Sequence, residues 1–136
     1  MKAYIDASVL LRIVLGEPGA LRSFKRVTRP ISSELIRLEC LRTIDRARLR
    51  RRIPDSEVAE RRGAVLARLE SFDLVRVGER VLERAAEQFP TTLGSLDAVH
   101  LATALLVRGK SLDLAFATHD AELAIAARAV GFRVLE

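Results

Sequence analysis

Short apolar segments alternate along the chain with longer segments of helical periodicity. The short segments are mostly apolar and do not alternate regularly between apolar and polar residues, which is typical of strands buried on both faces of a parallel sheet. Five of them are predicted strands, at residues 3–5, 29–32, 74–77, 112–117 and 132–135. Strands that alternate with helices in this way predict an α/β fold, with a mainly parallel five-stranded sheet flanked by helices on both faces.

The predicted helix boundaries follow from capping and turn residues. Ser33 is a predicted N-cap, and the long helix that it opens should run to about residue 51. Ser95 is the predicted N-cap of a second long helix, which reaches about residue 108. Shorter helices are predicted from residue 8, at about 19–27, after residue 55, at 79–89 and through residues 123–126.

The composition is that of one globular domain, expected over residues 1–136. Of the 136 residues 49% are hydrophobic, and a chain of this length buries about two-thirds of its unfolded surface. The single cysteine, Cys40, lies in an apolar helical pattern, so a buried, reduced thiol is expected. The N-terminal segment carries an acid inside its short apolar run, unlike a signal peptide, and no apolar run is long enough to span a bilayer. We therefore expect a soluble, cytoplasmic protein without membrane contact.

Four acidic residues stand where strands end, where helices begin or at the edge of a helix. Asp6 follows the first predicted strand and Asp120 follows the fourth, which places both at the edge where open parallel sheets bind ligands. Asp97 lies in the first turn of its helix, and Glu39 lies at the margin of the apolar stripe of the long helix. All four carboxylates are expected to converge. Like charges that converge destabilise a fold unless a cation holds them, and Mg²⁺ and Mn²⁺ prefer carboxylate oxygens.

A divalent ion at such a cluster predicts phosphodiester hydrolysis. The metal lowers the pKa of a bound water and stabilises charge on the leaving 3′ oxygen, so no side-chain nucleophile is needed. None is evident in the sequence, because Ser8 lacks obvious Ser–His–Asp partners and Cys40 is expected to be buried. The four acids therefore predict a metal-dependent nuclease.

Each acid also has a purely structural interpretation. Asp6 and Asp120 are good helix N-caps, and Asp97 is an ordinary first-turn acid that the helix dipole favours. Glu39 is spaced to pair with residues three or four positions later on its own helix. Each of these interpretations is reasonable for one acid, but the joint placement of all four at one sheet edge favours a shared function.

His100 lies three residues after Asp97 and faces the same side of the helix. It is a candidate metal ligand. A histidine in so apolar a helix is, however, more often packed in the core and hydrogen-bonded locally, and we expect this packed role.

Five arginines stand within residues 46–52, and the chain carries a formal net charge of +5. Arg46, Arg50, Arg51 and Arg52 are candidate contacts to nucleic-acid phosphates, because cationic side chains displace the counterions of a polyanion. The same run is also interpreted as a solvated helix end, since basic residues favour the C-terminus of a helix. Both interpretations stay open at the level of the sequence.

Four stretches of the sequence resemble the PIN domain, specifically the VapC-type ribonuclease toxins of bacterial toxin–antitoxin pairs. They are YIDASVLL at 4–11, ISSELIRLECLR at 31–42, LDAVHLATAL at 96–105 and FATHD at 116–120. Their order and spacing fit over essentially residues 3–136. The resemblance implies a twisted five-stranded parallel sheet and Mg²⁺- or Mn²⁺-dependent cleavage of RNA.

The resemblance also assigns roles to residues and implies partners. The catalytic and metal-binding acids of the family map onto Asp6, Glu39, Asp97 and Asp120. Its hydroxyl positions map onto Ser8 and Thr118, with supporting roles in orienting a carboxylate or a metal-bound water. A cognate VapB-like antitoxin and a toxin homodimer are implied as protein partners.

Three alternatives compete with a ribonuclease toxin. A PIN nuclease of RNA maturation or DNA repair would carry the same acids. A non-catalytic α/β interaction or RNA-binding module would use the acids as caps alone. A phosphotransfer domain with Asp6 as phosphoacceptor is disfavoured, because the residues after Asp6 lack a second Asp and no glycine-rich phosphate loop occurs.

Overall fold

A fully parallel five-stranded sheet forms the centre of the computed structural model, which describes residues 1–109 and 113–136. Its strands are β1 (Lys2–Ile5), β2 (Arg29–Ser33), β3 (Asp73–Val75), β4 (Ala115–Ala117) and β5 (Val134–Leu135). They lie in the order β3-β2-β1-β4-β5, so the strand order reverses between β1 and β4. A crevice for ligands opens at such a point, beyond the carboxyl ends of the strands. The predicted α/β fold is confirmed.

Helices cover the sheet on both faces. They are α1 (Ala7–Val14), α2 (Leu35–Arg51), α3 (Asp55–Leu69), α4 (Glu79–Ala86), α5 (Ser95–Arg108) and α6 (Ala121–Ala129), with a 3₁₀ helix at Arg22–Arg26. The predicted ends of the two long helices, near residues 51 and 108, are confirmed. Within the described ranges, no helix is both long enough and apolar enough to cross a membrane.

The central strand β1 contributes to two separate cores. Successive side chains of a strand point to opposite faces, so Ala3 and Ile5 pack with residues of α1, α2 and α3, whereas Tyr4 packs with residues of α5 and α6. All three side chains are fully buried, and Tyr4 stacks on Phe116 with ring centroids 5.2 Å apart. Burial of a large apolar side chain stabilises the fold by about 1.5–3 kcal/mol. The residues that follow β1 are therefore held by packing on both faces of the sheet.

The two predicted serine N-caps are each wrong by one position, since the N-caps are Glu34 and Gly94. Ser33 is the last residue of β2, the backbone turns at Glu34, and the Ser33 hydroxyl accepts a hydrogen bond from the N–H of Leu35 at 3.2 Å. Ser33 thus still satisfies a free N–H of the first turn, although from the strand. Ser95 is already helical, because the extended backbone of Gly94 places the helix boundary one residue earlier.

Three predicted strands are shorter in the structure, and hydrogen bonds account for the third and the fifth. The third leaves the sheet after Val75, where Glu34 takes over the pairing: its N–H donates to the Val75 carbonyl, and its carboxylate accepts from the N–H of Val77. The fifth begins only at Val134, because the N–H of Phe132 donates to the Ala127 carbonyl at the end of α6.

The remaining differences concern element ends. The helix predicted at 79–89 stops at Ala86, and the helix predicted at 19–27 is the five-residue 3₁₀ helix. The fourth predicted strand, at 112–117, is observed from Ala115, while residue 112 lies outside the described residues.

Candidate active site

The carboxyl ends of β1 and β4 lie side by side and carry two of the predicted acids. Ile5 and Ala117, the last residues of the two strands, are partners in the parallel register. The N–H of Asp6 donates to the Ala117 carbonyl at 3.1 Å. Asp6 follows β1 directly and Asp120 lies three residues beyond β4, so both reach the predicted edge of the sheet.

Two hydroxyl groups hold the carboxylate of Asp6, which is only 5% exposed. Its Oδ1 accepts the N–H of Ser8 at 3.0 Å, and its Oδ2 accepts the hydroxyls of Ser8 at 2.7 Å and Thr118 at 2.5 Å. Ser8 and Thr118, predicted as supporting residues, therefore both contact this acid. An ionised carboxylate offers about four lone-pair sites. With three in use, the free one is on Oδ1.

The loop after β4 is tied to the same hydroxyls. The Oγ1 of Thr118 accepts the N–H of Asp120 at 3.0 Å, and the Oγ of Ser8 accepts the N–H of His119 at 2.9 Å. The Oδ1 of Asp120 accepts the N–H of Leu123 at 2.9 Å and caps α6, as Asp6 caps α1. The predicted capping roles of both aspartates are thus confirmed, and they coexist with the placement at the sheet edge.

Glu39 reaches from α2 across to α5. Its Oε1 lies 2.5 Å from Nε2 of His100, whose side chain is fully buried, while 18% of the Glu39 side chain is exposed. Along its own helix, Glu39 contributes only its carbonyl, which accepts the hydroxyl of Thr43, and Arg42 pairs with Asp45. The alternative in which the Glu39 carboxylate pairs along α2 is therefore wrong.

The other nitrogen of His100 faces the core. Its Nδ1 lies 2.7 Å from the hydroxyl of Tyr4, and the same hydroxyl oxygen accepts the N–H of Ser33 at 3.0 Å. Burial lowers the pKa of His100. The hydrogen bond to Glu39 and the negative charges of nearby acids, Glu39 first, together outweigh this effect, so the pKa is raised overall. Burial raises the pKa of Tyr4, which keeps its proton. The packed, hydrogen-bonded role predicted for His100 is confirmed, and both ring nitrogens are engaged.

The pKa of Asp97 is shifted by burial and by the charges of the other acids. It lies half-buried in the first turn of α5, and its pKa is raised from 3.8 to about 6. Burial is the largest cause, followed by the negative charges of Asp120 and Asp6; Glu39 adds to the shift and His100 opposes it. The four acids therefore share one electrostatic environment.

The acids at this edge do not form a ready-made metal site in the described residues, although their oxygen donors are of the type that binds a divalent cation. Across residues 1–109 and 113–136, no three Asp, Glu, His or Cys side chains lie close enough to form a ready-made metal site. Such spacing limits the repulsion between carboxylates. The donors at the edge are carboxylate oxygens, which suit Mg²⁺ and Mn²⁺. The raised pKa of Asp97 shows that a further negative charge is unfavourable there, so a bound cation would be favourable.

The predicted arginine run lines one side of an open cleft of about 280 Å³ between α1, α2 and α3. Arg46, Arg50 and Arg51 line it together with Arg61 of α3. Arg52, predicted to act with them, does not line this cleft; it follows the end of α2 with a left-handed backbone, at φ 51°.

The cleft lies along the same flank of α2 as Glu39. Glu39, Arg46 and Arg50 are seven and four residues apart, a spacing that repeats on one side of a helix. Thr43, which also lines the cleft, lies between them on this flank. The basic cleft thus begins about one helical turn beyond Glu39 and extends away from the sheet edge.

Sequence reasoning missed the hydrogen-bonded link between Tyr4 and the acids. Tyr4 is fully buried, yet its hydroxyl group lies within hydrogen-bonding distance of His100. Its position two residues before Asp6 on a strand, together with His100 three residues after Asp97, was the available signal. The prediction of a buried Cys40 is confirmed: it is fully buried, and burial, followed by the charges of Glu39 and Asp6, raises its pKa to about 12.

Comparison with known proteins agrees with this architecture. The sequence profile of the PIN domain matches residues 3–129. Ribonuclease VapC46 of Mycobacterium tuberculosis (strain ATCC 25618 / H37Rv) is 35% identical over 136 residues, covering 97% of this chain and 95% of that protein. A solved toxin-antitoxin complex from Klebsiella pneumoniae aligns with a TM-score of 0.70 at 16% identity, covering 99% of this chain and 97% of that one. At such low identity, this last likeness shows the fold alone.

A fully parallel sheet whose strand order switches between β1 and β4, with Asp6 and Asp120 following those two strands, defines a class of small α/β proteins that bind ligands at this edge. The chain belongs to the PIN domain family, and its likeness to a VapC protein over nearly its whole length places it among the VapC-type members. The resemblance predicted from the four sequence stretches is confirmed.

Proposed function

We propose that the chain is an endoribonuclease that hydrolyses RNA with Mg²⁺ or Mn²⁺ and acts as the toxin of a VapBC-type toxin–antitoxin pair. The main support is the placement of the acids: Asp6 and Asp120 follow the paired ends of β1 and β4, and Asp97 lies close enough for their charges to add to the effect of burial and raise its pKa. The relative at 35% identity is named a ribonuclease, and the solved neighbour is a toxin-antitoxin complex. Both names favour a toxin over a PIN nuclease of RNA maturation or DNA repair.

The metal-binding and catalytic residues of this proposal are Asp6, Glu39, Asp97 and Asp120. These carboxylates would hold a divalent ion, which would supply a lowered pKa for a bound water and compensation for negative charge on the leaving 3′ oxygen. Ser8 and Thr118 fix the Asp6 carboxylate through Oδ2, which leaves a lone pair of Oδ1 free for the ion.

The RNA strand is proposed to follow the Glu39 flank of α2. Arg46 and Arg50 lie about 10 Å and 16 Å from Glu39 along the helix axis, from a rise of ~1.5 Å per residue. Guanidinium groups bind phosphates in a fork geometry, and Arg46, Arg50 and Arg51 would offset the repulsion between the acids and the RNA strand that reaches them. Arg52 lies beyond this flank and contributes less directly, as a positive charge at the end of the helix.

A VapB-like antitoxin and a second copy of the chain are the proposed protein partners, in the cytoplasm. The antitoxin partner is supported by the likeness to a VapC protein over nearly the whole chain.

The test is cleavage of labelled cellular RNA, including tRNA, by the antitoxin-free protein in Mg²⁺ or Mn²⁺ and then in EDTA. Asp97→Asn should abolish cleavage without unfolding the protein. The matched control is Asp55→Asn, which removes another first-turn acid, on α3 and remote from the edge, and should leave cleavage intact.

Cleavage that needs both the metal and Asp97 supports the proposal. If RNA stays intact and calorimetry also detects no binding of Mn²⁺, the acids serve as helix caps and the chain is a non-catalytic interaction module.

A further inference from the structure

We propose that His100 is a positioning residue that holds the Glu39 carboxylate in place for metal binding, through a chain of hydrogen bonds anchored on the backbone of β2. The inference rests on the proposed function, because Glu39 is one of the four acids assigned to the metal. His100 itself is fully buried and touches the metal-binding group only through Glu39.

The backbone of β2 anchors one end of this chain of hydrogen bonds. The N–H of Ser33 donates to the Tyr4 oxygen at 3.0 Å, and the same hydroxyl group lies 2.7 Å from Nδ1 of His100. In the neutral tautomer whose Nδ1 accepts the Tyr4 proton, Nε2 carries the ring proton and donates to Oε1 of Glu39 at 2.5 Å. Aligned donors polarise one another, which strengthens the last bond of such a chain.

The contact does not depend on the protonation state of the imidazole. In the neutral tautomer described above and in the imidazolium, Nε2 carries a proton and donates to Glu39. The inference therefore rests on geometry alone.

Glu39 needs such a partner more than Asp6 and Asp120 do. Its side chain is long, and immobilising a glutamate costs about 1.5–2 kcal/mol of rotamer entropy. Asp6 is held by Ser8 and Thr118, and Asp120 is held by the N–H of Leu123. In the described part of the chain, Nε2 of His100 is the single donor to the Glu39 carboxylate. Without it, the carboxylate is free to turn toward solvent.

The position of His100 on α5 links two of the acids. Asp97 lies three residues earlier on the same face of this helix. Because His100 contacts Glu39, the helix that carries Asp97 also holds the Glu39 carboxylate of α2 in place. One rigid helix thereby sets the spacing between Asp97 and Glu39.

Two conservative substitutions of His100 separate positioning from packing. Gln places its amide near Nε2 and keeps a donor for Glu39, whereas Asn places its amide near Nδ1 and cannot reach Glu39. Both are polar, uncharged and disturb the same buried site. Binding of Mn²⁺, measured by calorimetry without RNA, should weaken about 10-fold to 100-fold in His100→Asn, the usual effect of losing an outer partner of a metal ligand. The His100→Gln variant should retain most of the wild-type affinity for Mn²⁺.

A double substitution and a packing control complete the test. If His100 acts through Glu39, His100→Asn should weaken Mn²⁺ binding no further when Glu39 is already Ala, since the two changes are then not additive. Leu101→Ala removes a fully buried neighbour on α5 and destabilises the core, yet should leave Mn²⁺ affinity unchanged.

The outcomes distinguish the two proposals. If the wild-type protein binds Mn²⁺ but His100→Asn and His100→Gln lose the same amount of Mn²⁺ affinity, the positioning role is overturned and the nuclease proposal stands. The same conclusion follows if the effect of His100→Asn on Mn²⁺ affinity is additive with that of Glu39→Ala. Wild-type protein that binds no Mn²⁺ overturns the metal-dependent function itself, and the positioning role with it.

Discussion

Replacing Asp97 by Asn should stabilise the metal-free protein at pH 8. The pKa of Asp97 rises from 3.8 to about 6 on folding, because burial and the charges of Asp120 and Asp6 disfavour its ionised form. A shift of about two units corresponds to about 3 kcal/mol for a fully shielded group. Asp97 is only half-buried, so screening by solvent reduces the gain to about 1 kcal/mol.

The sign of this effect depends on pH. Between pH 4 and 6 the folded protein keeps the proton of Asp97 while the unfolded chain has lost it, so this group lowers stability as the pH rises through that window. Above about pH 6 the penalty is complete. Below about pH 4 Asp97 is protonated in both states, and the Asn variant should have no advantage.

Urea unfolding in EDTA at pH 4, 6 and 8 measures the difference in unfolding free energy. Asp55→Asn is the matched control, because Asp55 is also a first-turn acid but pairs with Arg48 at 3.3 Å. It should lose about 0.3–1 kcal/mol at pH 8, since a favourable helix-dipole interaction is removed. If Asp97→Asn is destabilised at pH 8 to the same extent, the acids of the edge do not repel one another and the reasoning is refuted.

Three further predictions test other parts of the structure. Cys40 should resist maleimide at pH 8 until urea unfolds the protein, because it is fully buried and its pKa is raised to about 12; labelling of the native protein, followed by mass spectrometry, would contradict this. Arg52→Gly should raise the unfolding free energy by about 1 kcal/mol because it relieves a left-handed backbone, whereas Arg51→Gly inside α2 should lower it by about as much in the same denaturation assay. Replacing both Arg46 and Arg50 by Gln should make the binding of single-stranded RNA less dependent on salt. The slope of the logarithm of the affinity against the logarithm of the salt concentration, measured by fluorescence anisotropy in EDTA, should fall in magnitude by about 1.4. An unchanged slope would show that these arginines do not contact the RNA.

The positions of the acids that follow strands could be predicted from the sequence more accurately than the contacts that these acids make. The pattern of apolar segments fixed where β1 and β4 end, and therefore placed Asp6 and Asp120 at one edge. The partner of Glu39 was not predictable from local spacing, because His100 lies on a different helix and 61 residues away in the chain. The same holds for the hydroxyls of Ser8 and Thr118, which meet only because β1 and β4 are neighbours in the sheet. Parallel pairing between segments so distant in sequence sets these contacts, and a single sequence carries no local signal for it.

Helix N-termini explain how the fold tolerates three of the four acids. Asp6 caps α1, Asp120 caps α6 and Asp97 lies in the first turn of α5, so each acid stands at the positive end of a helix dipole. Each such placement stabilises a carboxylate by about 0.3–1 kcal/mol and offsets part of the repulsion among them.

Glu39 is the exception among the acids. It lies in the second turn of α2, beyond the reach of the dipole at the helix start. A buried histidine supplies the compensating donor instead, and the buried tyrosine behind it ties that histidine to the backbone of β2. The acid that gains least from the parallel α/β architecture is therefore the one that needs its own hydrogen-bonded support. For this reason, substitutions at Tyr4 or His100 should disturb Glu39 and leave the capped aspartates in place.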